Sequence, residues 1–245
     1  MLKRVPLRRN SEQVSGSPCD KFRCETCHDL GWLWEDRLVR CDCKKEEDEK
    51  RRQQIFLKQC ALPAGAEHMT FEHFEVRWGL EKAHDAALQL AENREIIWLT
   101  LVGGVDMGKT HLAVAICRRW LAGGRLARYA FVPLLLDDLR NAYRPGAEIS
   151  YEQEFHFLCE VPLLVLDDLG AESATAWAQE KLDTLIDYRY IHRFPLVVTT
   201  NLPLDKLSAR IASRLQRIQG GKVIVLDAPE YRLRKTDTEV KDGRQ

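Results

Sequence analysis

A glycine-rich loop between two segments of different periodicity most constrains the fold of this 245-residue chain. Residues 103–110 read Gly-Gly-Val-Asp-Met-Gly-Lys-Thr and match the pattern G-x-x-x-x-G-K-[ST]. The apolar run at 96–102 predicts a buried strand before the loop, and residues 109–122 predict a helix after it. In that context the backbone N–H groups of the loop surround phosphates, and the helix N-terminus adds partial positive charge. The alternative is a glycine turn that merely joins a strand to a helix.

The loop gives particular side chains a chemical role. We expect Lys109 to contact the β and γ phosphates of a nucleotide and the hydroxyl of Thr110 to ligate Mg²⁺. The residues expected to bind ATP are Gly103, Gly104, Gly108, Lys109, Thr110 and His111. Asp106 is unusual here, because a carboxylate on a phosphate loop repels the ligand unless it points away or pairs with a cation.

From residue 80 onward, the chain alternates apolar and amphipathic segments. Strands are predicted at 96–102, 125–132, 163–166, 196–200 and 222–226. Helices are predicted at 80–92, 109–122, 133–143, 151–159, 175–193 and 205–217. This alternation predicts an α/β fold with a parallel sheet covered by helices on both faces.

Polar side chains follow two of the predicted strands. Asp167 and Asp168 come directly after the apolar run at 163–166, where the end of a parallel strand faces a ligand crevice. We expect Asp167 to hold Mg²⁺ and Asp168 to polarise an attacking water. Asn201 follows the next strand and can orient that water or contact the γ-phosphate. The alternatives are an acidic pair that caps a helix and an Asn201 that only starts the turn before Pro203.

Arg210 and Arg214 are four residues apart on a predicted helix, so they share one face. One of them can act as an arginine finger, a guanidinium that reaches the γ-phosphate in a neighbouring subunit. Arginine is common on helix surfaces, so the residues alone favour a pair of solvated side chains.

Five of the eight cysteines lie between Cys19 and Cys43, a clustering that favours a metal site over a disulfide framework. The pairs Cys24–Cys27 and Cys41–Cys43 are separated by thirteen residues and can close a tetrahedral Zn²⁺ site. Cys19 and His28 are competing ligands, and reduced structural cysteines or a redox dithiol are the other interpretations. A module of this size cannot build a sufficient core by itself, so the metal is expected to supply its folding free energy.

Trp32 and Trp34 lie between the two cysteine pairs. We expect them to pack against the metal site; a platform for stacking bases is the alternative.

Charge and hydropathy narrow the classes of function. The 37 basic and 37 acidic residues balance, so the field of the whole molecule predicts no polyanionic partner and any nucleic-acid contact needs a local patch. No apolar run approaches the ~20 residues of a membrane span, and no signal peptide is recognisable, so a cytoplasmic protein without a membrane contact is expected. The predicted divisions are a flexible tail 1–18, a zinc module 19–43, a charged linker helix 44–66, an ATPase domain 67–228 and a polar tail 229–245.

Taken together, these segments resemble the DnaC/DnaI-type helicase loaders and their relative, the transposition ATPase IstB. The resemblance is carried by Gly-Lys-Thr-His-Leu-Ala at 108–113, Leu-Asp-Asp-Leu-Gly-Ala-Glu at 166–172, Thr-Thr-Asn-Leu-Pro at 199–203 and Arg-Ile-Ala-Ser-Arg-Leu at 210–215. Met-Thr-Phe-Glu-His-Phe at 69–74 resembles the segment before the ATPase core, and Cys-x₂-Cys-His-Asp-Leu-Gly-Trp resembles the zinc module of the loader branch.

The resemblance implies a P-loop AAA+ core with sheet order 5-1-4-3-2 and little or no lid domain. It implies that Arg214 is the arginine finger, with Arg210 as second choice. It also implies that the N-terminal module binds a replicative hexameric helicase of the DnaB type, that the core contacts single-stranded DNA, and that subunits associate through the ATPase domain. Two features depart from the family: Asp106-Met107 replaces a glycine and a small residue, and the acidic pair is Asp-Asp rather than Asp-Glu.

Two further functions remain open from the sequence: an IstB-type transposition helper, and a nucleotide-gated adaptor that hydrolyses ATP negligibly. The zinc module argues against the first, and Asp106 keeps the second open.

Overall fold

The computed structural model describes residues 22–92, 95–144, 146, 149–171 and 175–227. The two predicted tails and Cys19 lie outside these residues. The chain divides into two compact units, Met1–Lys50 and Arg51–Gln245.

The first unit contains an antiparallel hairpin of strands β1 (Trp32–Trp34) and β2 (Leu38–Arg40). Helix α1 (Asp42–Cys60) begins within this unit. The charged linker helix was predicted at 44–66, and α1 overlaps that segment, starting two residues before it and ending at Cys60. Cys43 therefore sits in the first turn of a helix, and the boundary proposed between 43 and 44 falls inside that helix.

The second unit is built on a five-stranded parallel sheet. Its strands are β3 (Trp98–Val102), β4 (Ala127–Phe131), β5 (Leu163–Asp167), β6 (Leu196–Thr200) and β7 (Gly221–Val225). The strand order is β4-β5-β6-β3-β7, and every pair is parallel. Counted from β3 as the first strand, this is the expected order 5-1-4-3-2, so the predicted fold class is confirmed.

Helices cover both faces of this sheet. They are α2 (Glu81–Ala91), α3 (Lys109–Ala122), α4 (Val132–Asn141), α5 (Tyr151–Glu160), α6 (Ala176–His192) and α7 (Ala209–Arg217). Alternate residues of β3 enter different cores: Leu99 and Leu101 pack with α2 and α3, whereas Trp98 packs with the helices α4 to α7. This alternation explains why β3, β5 and β6 are buried along their whole length.

The prediction of a single helix at 205–217 is wrong for the first third of that range. Leu204–Lys206 forms a short 3₁₀ helix, and α7 starts only at Ala209. Ser208 has non-helical backbone angles (φ −56°, ψ 141°), and its hydroxyl accepts a hydrogen bond from the N–H of Ile211, which caps a new helix.

The expected lack of a lid domain concerns residues after β7, of which the structure describes only Leu226 and Asp227. Within the described residues, no helix combines the length and apolar character needed to cross a membrane.

Candidate nucleotide site and cysteine cluster

The loop between β3 and α3 has a backbone that only certain residues tolerate. Gly108 has a φ of 87°, and a Cβ atom there would lie 2.8 Å from Cε2 of Phe74, so glycine is required on two grounds. Asp106 has a φ of 59°, in the left-handed region that aspartate adopts more readily than most residues. The replacement of the family's glycine by Asp106 is therefore compatible with the loop's shape.

The ammonium of Lys109 lies at the centre of the loop. It donates hydrogen bonds to the carbonyl oxygens of Gly103 (2.9 Å) and Gly104 (2.5 Å) and to Oδ1 of Asn201 (2.7 Å). Burial lowers the pKa of Lys109, and the charges of nearby carboxylates, first Asp168, oppose that shift. The side chain is thus held by neutral oxygens that leave its positive charge available to phosphate.

Asp167 ends β5 as a buried carboxylate, 3% exposed, surrounded by hydroxyl groups. Tyr129 from β4 and Thr199 from β6 each donate a hydrogen bond of 2.6 Å to it. The Thr110 hydroxyl lies 3.1 and 3.0 Å from its two oxygens. Carboxylate and hydroxyl oxygens are the ligands that Mg²⁺ prefers, so Thr110 and Asp167 fit the magnesium site expected for them.

Asp168 and Asn201 meet at the ends of neighbouring strands. Asn201 Nδ2 donates to Asp168 Oδ1 (2.5 Å), and the Asp168 N–H donates to Thr199 Oγ1 (2.9 Å). Burial, followed by the charge of Asp167, raises the pKa of Asp168 above its usual range. Neither alternative from the sequence describes these contacts: the next helix is capped by Thr175, and Asn201 bridges Lys109 and Asp168 besides leading into the turn.

A cavity of about 790 Å³ lies between the loop and the segment that precedes α2. His111 joins its two walls, because Nε2 donates to the carbonyl oxygen of Thr70 (2.8 Å) and the ring packs edge-on against Phe74, 5.2 Å between centroids. Since a carbonyl oxygen can only accept, this contact places a proton on Nε2. The cavity adjoins Lys109 and Thr110 and has a volume typical of a small-molecule site.

Arg210 and Arg214 are not free surface side chains. Both donate to Asp187 of α6, Arg210 through Nε to Oδ2 (2.6 Å) and Arg214 through Nε to Oδ1 (2.7 Å). The guanidinium of Arg214 also lies 4.6 Å from the centre of the Tyr190 ring. These contacts are within one chain, so the role of Arg214 towards a neighbouring subunit stays a prediction.

Four cysteine thiols converge in the first unit. The Sγ atoms of Cys24, Cys27, Cys41 and Cys43 all lie within 4.8 Å of one another. The separations are 3.7 Å for Cys24–Cys41 and 3.4 Å for Cys27–Cys43, close to the ~3.8 Å edge of a tetrahedron with Zn–S bonds of ~2.3 Å. His28 is exposed and is not among the converging groups.

The backbone around the cluster supports thiolates. The N–H of Gly31 donates to Sγ of Cys27 (3.3 Å). Backbone N–H groups, first that of Cys27 and then that of Thr26, lower the pKa of Cys24 to about 6, whereas the neighbouring thiols, first that of Cys27, and burial raise the pKa of Cys43. The fit to zinc therefore rests on the convergence of four thiols at tetrahedral spacing, since a bound zinc ion would itself favour the thiolate form of its ligands.

The hairpin beside the cluster exposes its aromatic side chains. Trp32 is paired with Arg40 and Trp34 with Leu38, which places these four residues on one face of the hairpin. Trp34 is 79% exposed and Trp32 is also exposed, with the Arg40 guanidinium 5.3 Å from the Trp32 ring centre. The expectation that both tryptophans pack against the metal site is therefore wrong.

Sequence reasoning missed four residues of these sites. Thr199 could have been suspected because it is a polar residue at the end of an apolar strand. Tyr129 could have been suspected because it places a hydroxyl group in a buried strand. Phe74 and Asp187 give none, because their roles depend on contacts with Gly108 and with the two arginines that only the folded chain creates.

Comparison with known proteins agrees with this geometry. The profile of a family described as "IstB-like ATP binding protein" matches residues 30–227. The chain belongs to this family. Among solved structures, it is similar to one titled "Crystal structure of the DnaC helicase loader", with 21% identity and a TM-score of 0.60 over 67% of this chain and 100% of that one. The likeness to a DnaI crystal structure has 22% identity and a TM-score of 0.58 over 69% of this chain and 94% of that one.

These structural likenesses confirm that this IstB-like chain has the AAA+ fold. A curated relative, the chromosomal replication initiator protein DnaA of Bordetella petrii, is 29% identical over 170 residues, which are 68% of this chain and 35% of the relative. The chain thus spans about a third of the length of the curated relatives it matches.

We predict that Lys109→Ala weakens ATP binding by at least about 30-fold, because losing one charged contact costs roughly 2 kcal/mol or more. Titration with a fluorescent ATP analogue measures the change. Lys206→Ala is the matched control, since Lys206 is an exposed lysine on the 3₁₀ helix before α7. Wild-type affinity in the Lys109→Ala variant would remove the phosphate loop from the binding site.

We predict one zinc per chain in protein purified under reducing conditions, measured by elemental analysis. Cys43→Ser should lose the metal because the cluster then lacks one of its four thiolates. His28→Ala should keep it, because the exposed imidazole is not among the converging groups. Zinc retained by Cys43→Ser but lost by Cys19→Ser would show that the ligand set is different.

Proposed function

We propose that this chain is an ATP-dependent helicase loader that acts in the cytoplasm during the initiation of DNA replication. The observation that carries the proposal is the joint placement of Lys109, Asn201 and Asp168 beside the Thr110–Asp167 pair. This is the arrangement needed for attack of water on a γ-phosphate. Family membership supports an IstB-like ATPase, and the fold shared with DnaC and DnaI, together with the cysteine cluster, supports a loader within that group.

Each residue of the site has a task in hydrolysis. Lys109 would contact the β and γ phosphates of ATP, while Thr110 and Asp167 would hold Mg²⁺, whose charge would offset that of the phosphates. Asp168 accepts a hydrogen bond from the attacking water, and Asn201 fixes the position of that carboxylate. Because the carboxylate is held by Asn201 before the water arrives, little reorganisation accompanies the reaction. Arg214 of a neighbouring subunit completes the site by stabilising charge on the transferring phosphoryl group.

The hairpin face formed by Trp32, Trp34, Leu38 and Arg40 is the surface we assign to the DnaB-type hexamer. Exposed tryptophan beside arginine is the composition of interaction hot spots, and an exposed apolar patch marks a contact site. The ATPase core contacts single-stranded DNA in this proposal, which is supported by the fold shared with a "Replication initiator DnaA bound to AMPPCP and single-stranded DNA". Zero net charge requires that DNA contact to be local.

A transposition helper ATPase is the second candidate, because the matched family is itself described as IstB-like. The cysteine cluster favours the loader. Capture of a replicative hexamer supports loading, whereas capture of a transposase instead of the hexamer supports transposition.

We predict that Trp34→Ala lowers the affinity for the cognate DnaB-type hexamer by at least about 30-fold, since a tryptophan hot spot contributes roughly 2 kcal/mol or more. A pull-down with and without ATP measures this, and zinc content checks that the module is intact. Trp78→Ala is a control matched in residue type and exposure, 78% against 79%, outside the hairpin. Equal capture by wild type and Trp34→Ala would exclude this face.

We predict that Arg214→Ala binds ATP nearly normally but hydrolyses it ~10³-fold or more slowly, as expected when a finger supplied by a neighbour is lost. Mixing this variant with Lys109→Ala should restore turnover, because some interfaces then pair an intact ATP site with an intact finger. Sizing of each variant checks that assembly persists.

The outcomes of this test separate the candidates. Loss with Arg210→Ala but not Arg214→Ala would place the finger one turn earlier. If neither substitution changes turnover at any protein concentration, the chain is better described as a nucleotide-gated adaptor with negligible subunit-dependent hydrolysis.

A further inference from the structure

Asp187 is an acidic side chain of α6 that lies between two arginines of α7. It is 7% exposed, and its two oxygens are divided between the arginines: Oδ1 accepts from Arg214 and Oδ2 from Arg210. Burial acts to raise the pKa of Asp187, but the hydrogen bonds and charges of Arg214 and Arg210 outweigh burial and hold the pKa below its usual range. The carboxylate is therefore ionised at neutral pH.

The two arginines are held in different ways. Arg210 contacts Asp187 through both Nε and Nη2, so one full edge of its guanidinium is engaged. Arg214 contacts Asp187 through Nε, at the inner end of the guanidinium, and its planar group lies against Tyr190. The Arg210 side chain is 61% exposed and the Arg214 side chain 34% exposed.

This difference suggests separate roles: Arg210 is the partner that balances the charge of Asp187, and Arg214 is the arginine that is available to phosphate. An arginine contacts phosphate through its terminal nitrogens in a planar fork. Arg214 contacts Asp187 through Nε and not through its terminal nitrogens, and the neighbouring Tyr190 ring further restricts the guanidinium. Arg210 keeps the nearly buried charge of Asp187 balanced if the Arg214 contact lengthens when a phosphate approaches.

We propose that Asp187 is a positioning residue for the arginine finger: it holds Arg214 by Nε so that the terminal nitrogens meet the γ-phosphate of the neighbouring subunit. This inference rests on the proposed function, in which Arg214 completes the ATP site of its neighbour. Arginine has many rotamers, and a displacement of about 1 Å in a catalytic group can lower a rate by ~10²-fold.

The first test replaces Asp187 by asparagine, which keeps the size of the side chain and removes its charge. We expect ATP binding and KM to stay close to wild type while kcat falls on the order of 10- to 100-fold. Asp187→Glu keeps the charge and should retain more turnover than Asp187→Asn. It also tests the proposal if the asparagine variant folds poorly.

Asp183→Asn is the matched control. Asp183 lies one turn earlier on α6 and accepts a hydrogen bond from the Ser208 hydroxyl at the cap of α7 (2.9 Å). The control therefore removes one carboxylate charge between α6 and α7 without touching the arginines, and the asparagine oxygen can still accept from Ser208. We expect its kcat to stay within about threefold of wild type, since exposed or half-buried single contacts contribute well under 1 kcal/mol.

Two further measurements distinguish positioning from general stabilisation. In the Arg214→Ala background, Asp187→Asn should cause no additional loss of kcat, because the residue acts through Arg214. Mixing Asp187→Asn with Lys109→Ala should restore turnover, because the Lys109→Ala chain supplies a correctly held finger.

Contradictory outcomes fall into two kinds. Wild-type turnover in both Asp187 variants, with Arg214→Ala inactive, would overturn the role of Asp187 and leave the finger in place. An equal loss of kcat in Asp183→Asn, or an additive loss in the double variant, would also overturn it. Wild-type turnover in Arg214→Ala would overturn both the finger and its positioning residue.

Discussion

The buried carboxylate of Asp167 is the constraint around which the ATPase unit is arranged. A charge at 3% exposure is costly unless hydrogen-bond donors surround it, and here the donors come from three separate elements. Tyr129 lies on β4, Thr199 lies on β6, and Thr110 lies in the first turn of α3. The hydroxyl of each contacts the Asp167 carboxylate at the end of β5. The strand order is therefore needed for the site. Because β5 lies between β4 and β6, side chains from both neighbouring strands can hydrogen-bond the Asp167 carboxylate.

From Asp167 the network extends to the reacting end of the site. Thr199 also accepts from the Asp168 N–H, and Asn201, two residues further on, touches both Asp168 and Lys109. A displacement at the end of β6 would thus change the contacts of Asp167, Asp168 and Lys109 together. Such a chain of contacts gives the site one geometry instead of several independent ones.

The elements of the fold were largely predictable, because strand and helix periods differ and a phosphate loop demands a strand before it and a helix after it. Helix α3 and strand β6 match their predicted bounds. The proximity of Asp168 and Asn201 followed from parallel strands that end at one edge. What could not be predicted depends on tertiary contacts: the division of Asp187 between two arginines, the cap at Ser208 that splits a predicted helix, and the exposure of Trp34.

The left-handed backbone of Asp106 has a consequence for the stability of the phosphate loop. A glycine at this position would visit many more conformations in the unfolded chain, and removing that freedom is worth roughly 0.4–1 kcal/mol where the native conformation suits the new residue. Asp106, at a φ of 59°, narrows the ensemble without a severe clash, and its charge helps to keep Lys109 protonated. The same charge repels an incoming phosphate. Asp106 in place of glycine thus favours the folded loop through the entropy of the unfolded chain, while its charge weakens the electrostatic attraction of the loop for phosphate.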